Sequence, residues 1–302
     1  MNPRVLVIIV TYNGMAHIDR CLQSFDHADR QLQVMIVDNA STDGTPEYVK
    51  ANYPYVLLVE SRRNLGFGAA NNVGLRYAID NNFDFAYLLN QDAWIEHEDL
   101  KKLIDVANRH PDYGILSPLQ VYAGKKKLDK AFSKTVDIEL KNDLLLNPRE
   151  VKEVYEVGPN RLIQAAHWLI KCGVVSKVGG FSPVFYHYGE DNDYCNRLFF
   201  YGYKKGIVPA VLGVHNREGR EIYTDSLNHL ATKWRHFLCN PNSDTKSAIK
   251  RIIKSAMQEF GYFGIKLVKP MWSVVRSYRR CILAKKQSMM PQAFLDNTKI
   301  EI

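Results

Sequence analysis

Four times between Arg4 and Arg109 the chain passes through a β-branched apolar run, a polar loop and an amphipathic stretch, and this alternation restricts the fold more than any other feature. Arg4-Val-Leu-Val-Ile-Ile-Val10 leads into Thr11-Tyr-Asn-Gly and an amphipathic segment from Met15 to Phe25. Leu32 to Val37 leads into Asp38-Asn-Ala-Ser-Thr-Asp-Gly44 and a helix opened by Thr45-Pro46, where proline suits the first turn. Tyr55 to Glu60 precedes Asn64-Leu-Gly-Phe-Gly68 and a helix through Tyr77; Phe85 to Asn90 precedes a Gln91-Asp92 loop and a helix over Glu98 to Arg109. Strands and helices alternating at this spacing predict an α/β fold with a mostly parallel sheet covered on both faces. Ligands of such sheets bind beyond the carboxyl ends of the strands. That selects four loops, Thr11-Tyr12-Asn13, Asp38-Asn39, Arg63-Asn64 and Asn90-Gln91-Asp92, whose amides and carboxylates suit base, ribose or metal contacts.

From Leu119 to Pro159 the pattern gives way to polar sequence that includes Lys125-Lys126-Lys127, which reads as an insertion or lid. Regularity returns at Leu162 to Ile170, followed by a turn region from Gly173 to Gly180, a helix ending near Tyr201 and a strand-like run from Gly206 to Val214 that stops at His215. Ahead of that helix stand Glu190, Asp191 and Asp193, with Arg197 beyond them. Acids bunched so closely repel one another and suit a polar cleft, where neighbours can set the pKa of a catalytic base. An acidic helix N-terminus complementing the helix dipole accounts for Glu190 and Asp191 equally well. Asn90-Gln-Asp92 offers one carboxylate at the sheet edge. One or two suffice for a divalent ion that also takes phosphate and water oxygens, although a turn or N-cap role is the commoner fate of such a residue. Gly66-Phe-Gly68-Ala-Ala-Asn71 lacks the third glycine of a dinucleotide fingerprint and follows the third strand, which argues against an oxidoreductase.

With 46% hydrophobic residues among 302, the chain can fill one large domain, or one domain and an appendage. No charged-then-apolar leader opens it and no apolar stretch reaches membrane-spanning length, so the expected location is cytoplasmic, peripheral at the cytosolic face of the membrane. Five cysteines without a C-x-x-C spacing suit reduced buried thiols and set redox and zinc chemistry aside. The net charge of +8 has a location: eleven basic residues lie between Lys246 and Lys286 against the single acid Glu259. Ile249, Ile252, Ile253, Ala256, Met257 and Phe260 recur there at helical spacing, opposed by Lys246, Lys250, Arg251 and Lys254. Aromatics amid lysines follow from Gly261 to Trp272. The expected partner of this basic amphipathic region is an anionic membrane surface, with no nucleic acid; a helix packed on the catalytic body and a homo-oligomer contact are its other uses. The expected division is 1–240 for the catalytic domain and 241–302 for the basic helical region.

Taken together, Val10-Thr-Tyr-Asn13, Val37-Asp-Asn-Ala-Ser-Thr-Asp-Gly44, Asn64-Leu-Gly-Phe-Gly-Ala-Ala-Asn71, Leu89-Asn-Gln-Asp92, Gly179-Gly-Phe181, Glu190-Asp-Asn-Asp193 with Arg197, and His215 resemble the ordered motif series of family 2 glycosyltransferases over Arg4 to Asn216. The resemblance implies a GT-A fold, a Rossmann-like mostly parallel sheet, and an inverting transfer of a hexosyl or deoxyhexosyl group from a nucleoside diphosphate sugar, assisted by Mg²⁺ or Mn²⁺. The acceptors it implies are saccharides or lipid-linked saccharides in cell-surface polysaccharide or glycolipid synthesis. Carried over by residue, Thr11, Tyr12 and Asp38 meet the nucleobase and ribose, Arg63 and Asn64 flank that pocket, and Asn90 opens the metal motif. Asp92 holds the metal with His215 as a second contact. Here the family's Asp-x-Asp reads Asn90-x-Asp92, which loads the metal role onto one carboxylate. Asp191 matches the family's base, and Glu190, Asp193 and Arg197 become its supports or acceptor contacts. His167-Trp168 and Trp94 are candidates for stacking on sugar rings, packing being the commoner role of such aromatics. The rival readings are a nucleotidyltransferase, which would carry a basic, glycine-rich loop after the first strand, and an inactive nucleotide-sugar-binding or scaffold protein.

Overall fold

The computed structural model describes residues 3–25, 28–124, 127–136, 152–159, 161–218 and 226–295. The β-branched runs form strands β1 (Val5–Thr11), β2 (Leu32–Asp38), β3 (Leu57–Glu60) and β4 (Phe85–Asn90), all parallel and ordered β3-β2-β1-β4. Helices α1 (Ile18–Leu22), α2 (Thr45–Asn52), α3 (Phe67–Asp80) and α4 (His97–Arg109) follow the intervening loops. Beyond β4 the sheet continues through β8 (His167–Lys171), β6 (Tyr113–Val121), β9 (Lys204–His215) and the short β5 (Ala93–Ile95), with β7 (Tyr155–Glu156) beside β9. β8 runs antiparallel to β4 and β6, and β5 antiparallel to β9.

Two departures from the sequence expectation have local causes. β6 is a central strand, buried along its whole length, but Ser117-Pro118 interrupts its apolar run; a register shift falls between Pro118 and Leu119, where β9 carries the extra residues Pro209 to Val211 between the partners Val208 and Leu212. The stretch expected to be a turn region is instead helix α5 (Cys172–Val178), ended by Gly179 in a left-handed conformation at φ 85°. Of the expected insertion, residues 125, 126 and 137–151 lie outside the described residues.

Side chains alternate across the strands, so each face of the sheet has its own core. Leu6, Ile8, Met35 and Val37 pack on one face with α3 and α5, while Val5, Val7, Ile9 and Ile36 pack on the other with α1, α2 and α4. Register then gathers the polar strand ends: Thr11 lies beside Asp38, Val10 beside Asn90, and His215 opposite Ala93, next to Asp92. Helix α6 (Glu190–Phe200) precedes β9, and among the described residues three α-helices follow it: α7 (Ser226–Cys239), α8 (Thr245–Phe263) and α9 (Val268–Gln287). The last three share a core with Phe185 that includes Leu230, Trp234, Ala248, Val274 and Cys281. The chain then returns to the body. Gly180 donates its amide hydrogen to the Ala293 carbonyl at 2.8 Å, and Leu295 is buried in the main core.

Candidate active site

At the carboxyl ends of β1 and β2 the Thr11 hydroxyl donates to Asp38 Oδ1 at 2.7 Å, and Ser41 donates from its amide to Oδ2 (2.8 Å) and from its hydroxyl to Oδ1 (2.5 Å). Thr11 and Asp38 are buried. Thr11 therefore acts by orienting the Asp38 carboxylate. Tyr12 is half exposed, and its backbone is clamped to the β4 loop by Gln91, which accepts from Tyr12 N (2.8 Å) and donates to Tyr12 O (3.2 Å). Arg63 is exposed beside Asn64, whose side chain accepts from the Gly66 amide at 2.8 Å. Tyr186 reaches across to donate to the Asn64 carbonyl at 3.0 Å. Gly66 has φ 82°, and a Cβ there would lie 2.3 Å from the Tyr186 carbonyl oxygen, so the close approach of these two loops requires glycine.

At the end of β4, Asp92 Oδ1 lies 3.4 Å and Asn90 Nδ2 lies 3.5 Å from His215 Nε2. On the other side of the ring, His215 Nδ1 is 3.8 Å from Asp129 Oδ2. Asp129 is wholly buried and accepts from Arg217 Nε (2.5 Å) and Nη2 (2.6 Å) and from the amides of Ala131 (2.9 Å) and Phe132 (2.8 Å). Burial would raise its pKa, but Arg217 and the Phe132 amide overcome that and hold the carboxyl below its ordinary range. The result is an alternating row of carboxylate, imidazole, carboxylate and guanidinium. No three metal-ligating side chains converge among the described residues. The donor set nevertheless fits Mg²⁺ or Mn²⁺: a buried carboxylate, an imidazole and the buried Asn90 Oδ1, which lacks a hydrogen-bond partner, with remaining ligands from diphosphate and water.

The start of α6 is built differently. Tyr188 (φ 64°) and Gly189 (φ 102°) both sit in the left-handed region and turn the chain sharply into α6. Gly189 presses against Thr232 and His236 of α7, and His236 stacks on Phe185 with centroids 4.4 Å apart. Glu190 is buried with one carboxylate oxygen unpartnered; burial, then the charge of Asp191, pushes its pKa up to about 8. Asp191 is half-buried and accepts from the Asn192 amide at 2.8 Å; burial pushes it up to about 6, with backbone amides holding it back. Burial thus makes both carboxyls of this adjacent pair unusually basic, with the charge of Asp191 adding to the rise of Glu190.

Residues 6–167 match the family model described as glycosyl transferase family 2. The chain belongs to that family. This glycosyltransferase is 27% identical to the N-acetylglucosaminyl-diphospho-decaprenol L-rhamnosyltransferase of Mycobacterium tuberculosis (strain CDC 1551 / Oshkosh) over 248 residues, 74% of this chain and 80% of the relative. Among solved structures it resembles S. aureus TarS 1-349, with TM-score 0.59 at 14% identity over 95% of this chain and 83% of that one. It also resembles the mannosyltransferase PcManGT from Pyrobaculum calidifontis in complex with GDP-Man and Mn²⁺, with TM-score 0.54 at 19% identity over 99% and 88%. Both likenesses establish the GT-A fold. The matched family stretch holds the loops around Thr11, Asp38 and Asn64 together with Asp92, while Asp191 and His215 lie beyond it.

Several expected contacts of the glycosyltransferase prove to be interior. Trp168 is fully buried, its ring stacked on Phe181 at 6.0 Å and tilted against Tyr194 at 5.7 Å, so it packs the core and faces no sugar. His167 is held between Tyr87 Oη (2.7 Å) and the Val214 carbonyl (3.0 Å), and Trp94 lies buried under the Arg20 guanidinium. Arg197 is no acceptor contact either. Fully buried, it bonds Asp193 Oδ2 (2.9 Å) and the carbonyls of Val178 (2.8 Å) and Gly180 (2.7 Å), an internal brace that spends both Asp193 and Arg197 on the fold. In exchange the structure brings in residues the sequence reading passed over. Asp129 comes from the irregular stretch after β6, Arg217 stands two residues past His215, and the exposed Tyr186 and Tyr188 stand just ahead of α6. The Tyr-His-Tyr run abutting the acidic triplet was a readable signal for the last two; nothing local marked Asp129.

Proposed function

We propose that this glycosyltransferase inverts the anomeric centre while moving a hexosyl or 6-deoxyhexosyl group, L-rhamnose above all, from a nucleoside diphosphate to a lipid-linked saccharide, in the building of cell-surface polysaccharide or glycolipid. The observation that carries the reading is Asp191, a half-buried carboxylate of raised basicity with no cationic partner among the described residues. The choice of donor and acceptor follows the printed name of the mycobacterial relative, an L-rhamnosyltransferase acting on a decaprenol-linked saccharide.

Asp38, steadied by Thr11, and Tyr12, Arg63 and Asn64 hold the nucleoside; Tyr186 and Tyr188 offer rings on which an acceptor sugar can stack. Asp191 takes the proton of the acceptor hydroxyl as that oxygen bonds to the anomeric carbon. The diphosphate leaves from the opposite face, which inverts the centre. A positioned base contributes about 10²–10⁴-fold to such a step. Asp92, His215 and Asn90 would hold Mg²⁺ or Mn²⁺, which, when bound, neutralises charge on the diphosphate. Arg217 adds a fixed positive charge nearby, oriented by Asp129. With a lipid-linked acceptor, the enzyme works as a peripheral protein at the cytosolic face of an anionic membrane.

The test is transfer from a panel of nucleoside diphosphate sugars, a rhamnosyl donor included, to a polyprenyl-diphosphate-linked N-acetylglucosamine, with product mass and anomeric configuration read by mass spectrometry and NMR. An inverted rhamnosyl linkage is expected. Retention of configuration would refute the Asp191 mechanism, and failure of every donor would refute the acceptor class.

A further inference from the structure

Helices α8 and α9 expose apolar side chains on a scale that the rest of the described residues do not approach. The six apolar positions of α8 divide in the structure: Ile252 and Ala256 turn inward with the buried Ala248, while Ile249, Ile253, Met257 and Phe260 remain on the solvent side. Those four recur at i, i+4, i+8 and i+11, and Lys246, Lys250 and Lys254 run along the same helix beside them. α9 repeats the plan, burying Pro270, Val274, Cys281 and Ala284 while Val268, Met271, Trp272 and Val275 stay exposed near Lys269 and Arg276. At the connection between the helices, Tyr262 and Ile265 are each 84% exposed. No described helix is long and apolar enough to cross a membrane, so a bilayer partner would be met by a face and not by a span.

We infer that the exposed faces of α8 and α9, both packed on α7, form a bilayer-docking surface, the connecting stretch from Tyr262 to Trp272 entering the boundary between headgroups and acyl chains of an anionic membrane while the flanking lysines and arginines meet lipid phosphates. Charge selects this occupant. Of the eleven basic residues that face one acid between Lys246 and Lys286, Lys285 is buried against the Ser243 carbonyl and the other ten are exposed; these suit anionic headgroups, each contributing up to about 1 kcal/mol where it lies near such a surface. A second copy docked through the same face would set like charges against like. The inference rests on the lipid-linked acceptor for its purpose. The surface lies close to the site: Arg280 of α9 donates to the Pro183 carbonyl at 3.5 Å, and His236 of α7, the helix on which α8 and α9 pack, stacks on Phe185 in the segment that leads to Glu190 and Asp191.

Co-sedimentation of the full-length chain with phosphatidylcholine vesicles, with and without phosphatidylglycerol, tests the face. Three proteins are compared: the natural chain, Ile265→Ser/Trp272→Ser, and Lys250→Glu/Lys254→Glu. Trp272 is the exposed one of four tryptophans, so its emission should shift to the blue when anionic vesicles are added. Binding to anionic vesicles should fall at least about tenfold in both variants and should weaken with salt in the natural chain. An unchanged thermal shift with nucleoside diphosphate shows that each variant is folded. Equal sedimentation of all three proteins, indifference to lipid charge, or a self-association abolished by Ile265→Ser/Trp272→Ser would overturn the inference. Docking without transfer from any donor would sink the proposed reaction and leave the face standing; transfer to a water-soluble acceptor analogue without docking would do the reverse.

Discussion

The two ends of the candidate site treat their acids in opposite ways. Around His215, each carboxylate has a positive or imidazole neighbour, and Asp129 is held ionised by Arg217. At the start of α6, Glu190 and Asp191 have no such neighbour among the described residues, and burial raises both. One end is thus a clamp of fixed charge, suited to a diphosphate and its counter-ion; the other is a place where a proton can be taken up near neutral pH. Even within α6 the contrast holds, because Asp193, two residues beyond Asp191, is neutralised by Arg197 in the interior.

The sharpest way to break the comparison is Asp191→Asn. The amide cannot accept the hydroxyl proton, so transfer should fall at least about a hundredfold while nucleotide affinity stays unchanged. Initial rates and calorimetric titration with the nucleoside diphosphate separate the two. Comparable losses in both would mean that the base end is not functionally distinct from the clamp.

The clamp should answer in the opposite manner. Asp129→Asn releases Arg217 and the far side of His215, and residues that orient metal-binding groups typically govern about 10–100-fold in affinity. Nucleotide binding in Mn²⁺ should weaken by about tenfold, and Asp92→Ala should remove the Mn²⁺ enhancement altogether. Affinity indifferent to both changes and to chelator would leave the row of charges without the role proposed for it.

How far this contrast could be read from the chain depends on the range of the interactions involved. The βα alternation up to Arg109 was legible because each strand and helix declares itself through a local period, and the parallel sheet follows from that alternation. The loops at the strand ends were legible for the same reason. Trp168 and Arg197 were not, since a tryptophan and an arginine look alike in sequence whether they face a sugar or close a core; only the Phe181 and Tyr194 rings, and the carbonyls of Val178 and Gly180, decide the matter. Asp129 bonds Arg217 across 88 residues and carried no local mark at all. In the tail, helical spacing revealed the amphipathic character, but the split of α8 into an inward and an outward apolar face depends on α7, which packs against one side of it.

A smaller effect is expected in the pH profile. With Asp191 near 6, kcat/KM should be level above neutrality and fall tenfold per pH unit below about 6, as the base becomes protonated. A limb moved below pH 4 would mean that another carboxylate is the base.

The smallest effect has the most telling sign. Asp191 in the folded protein holds its proton to about pH 6, whereas in the unfolded chain it releases it near its ordinary value of about 3.9. Between those values the unfolded state binds fewer protons than the folded one, so stability falls as pH rises through the window and stays lower above it. Asn cannot ionise and escapes this loss. Asp191→Asn should therefore melt a few degrees higher than the natural chain above pH 6, at about 2–4 °C per kcal/mol, and the gain should vanish below about pH 4. Asp193→Asn should do the opposite, since it leaves the fully buried Arg197 without its counter-charge, an arrangement that costs about 3–5 kcal/mol. Differential scanning calorimetry of the two variants at pH 4 and pH 7.5 compares acids two residues apart on one helix; if both lower the melting temperature at the higher pH, Asp191 belongs to the fold as Asp193 does, and the division of α6 into a reactive and a bracing acid fails.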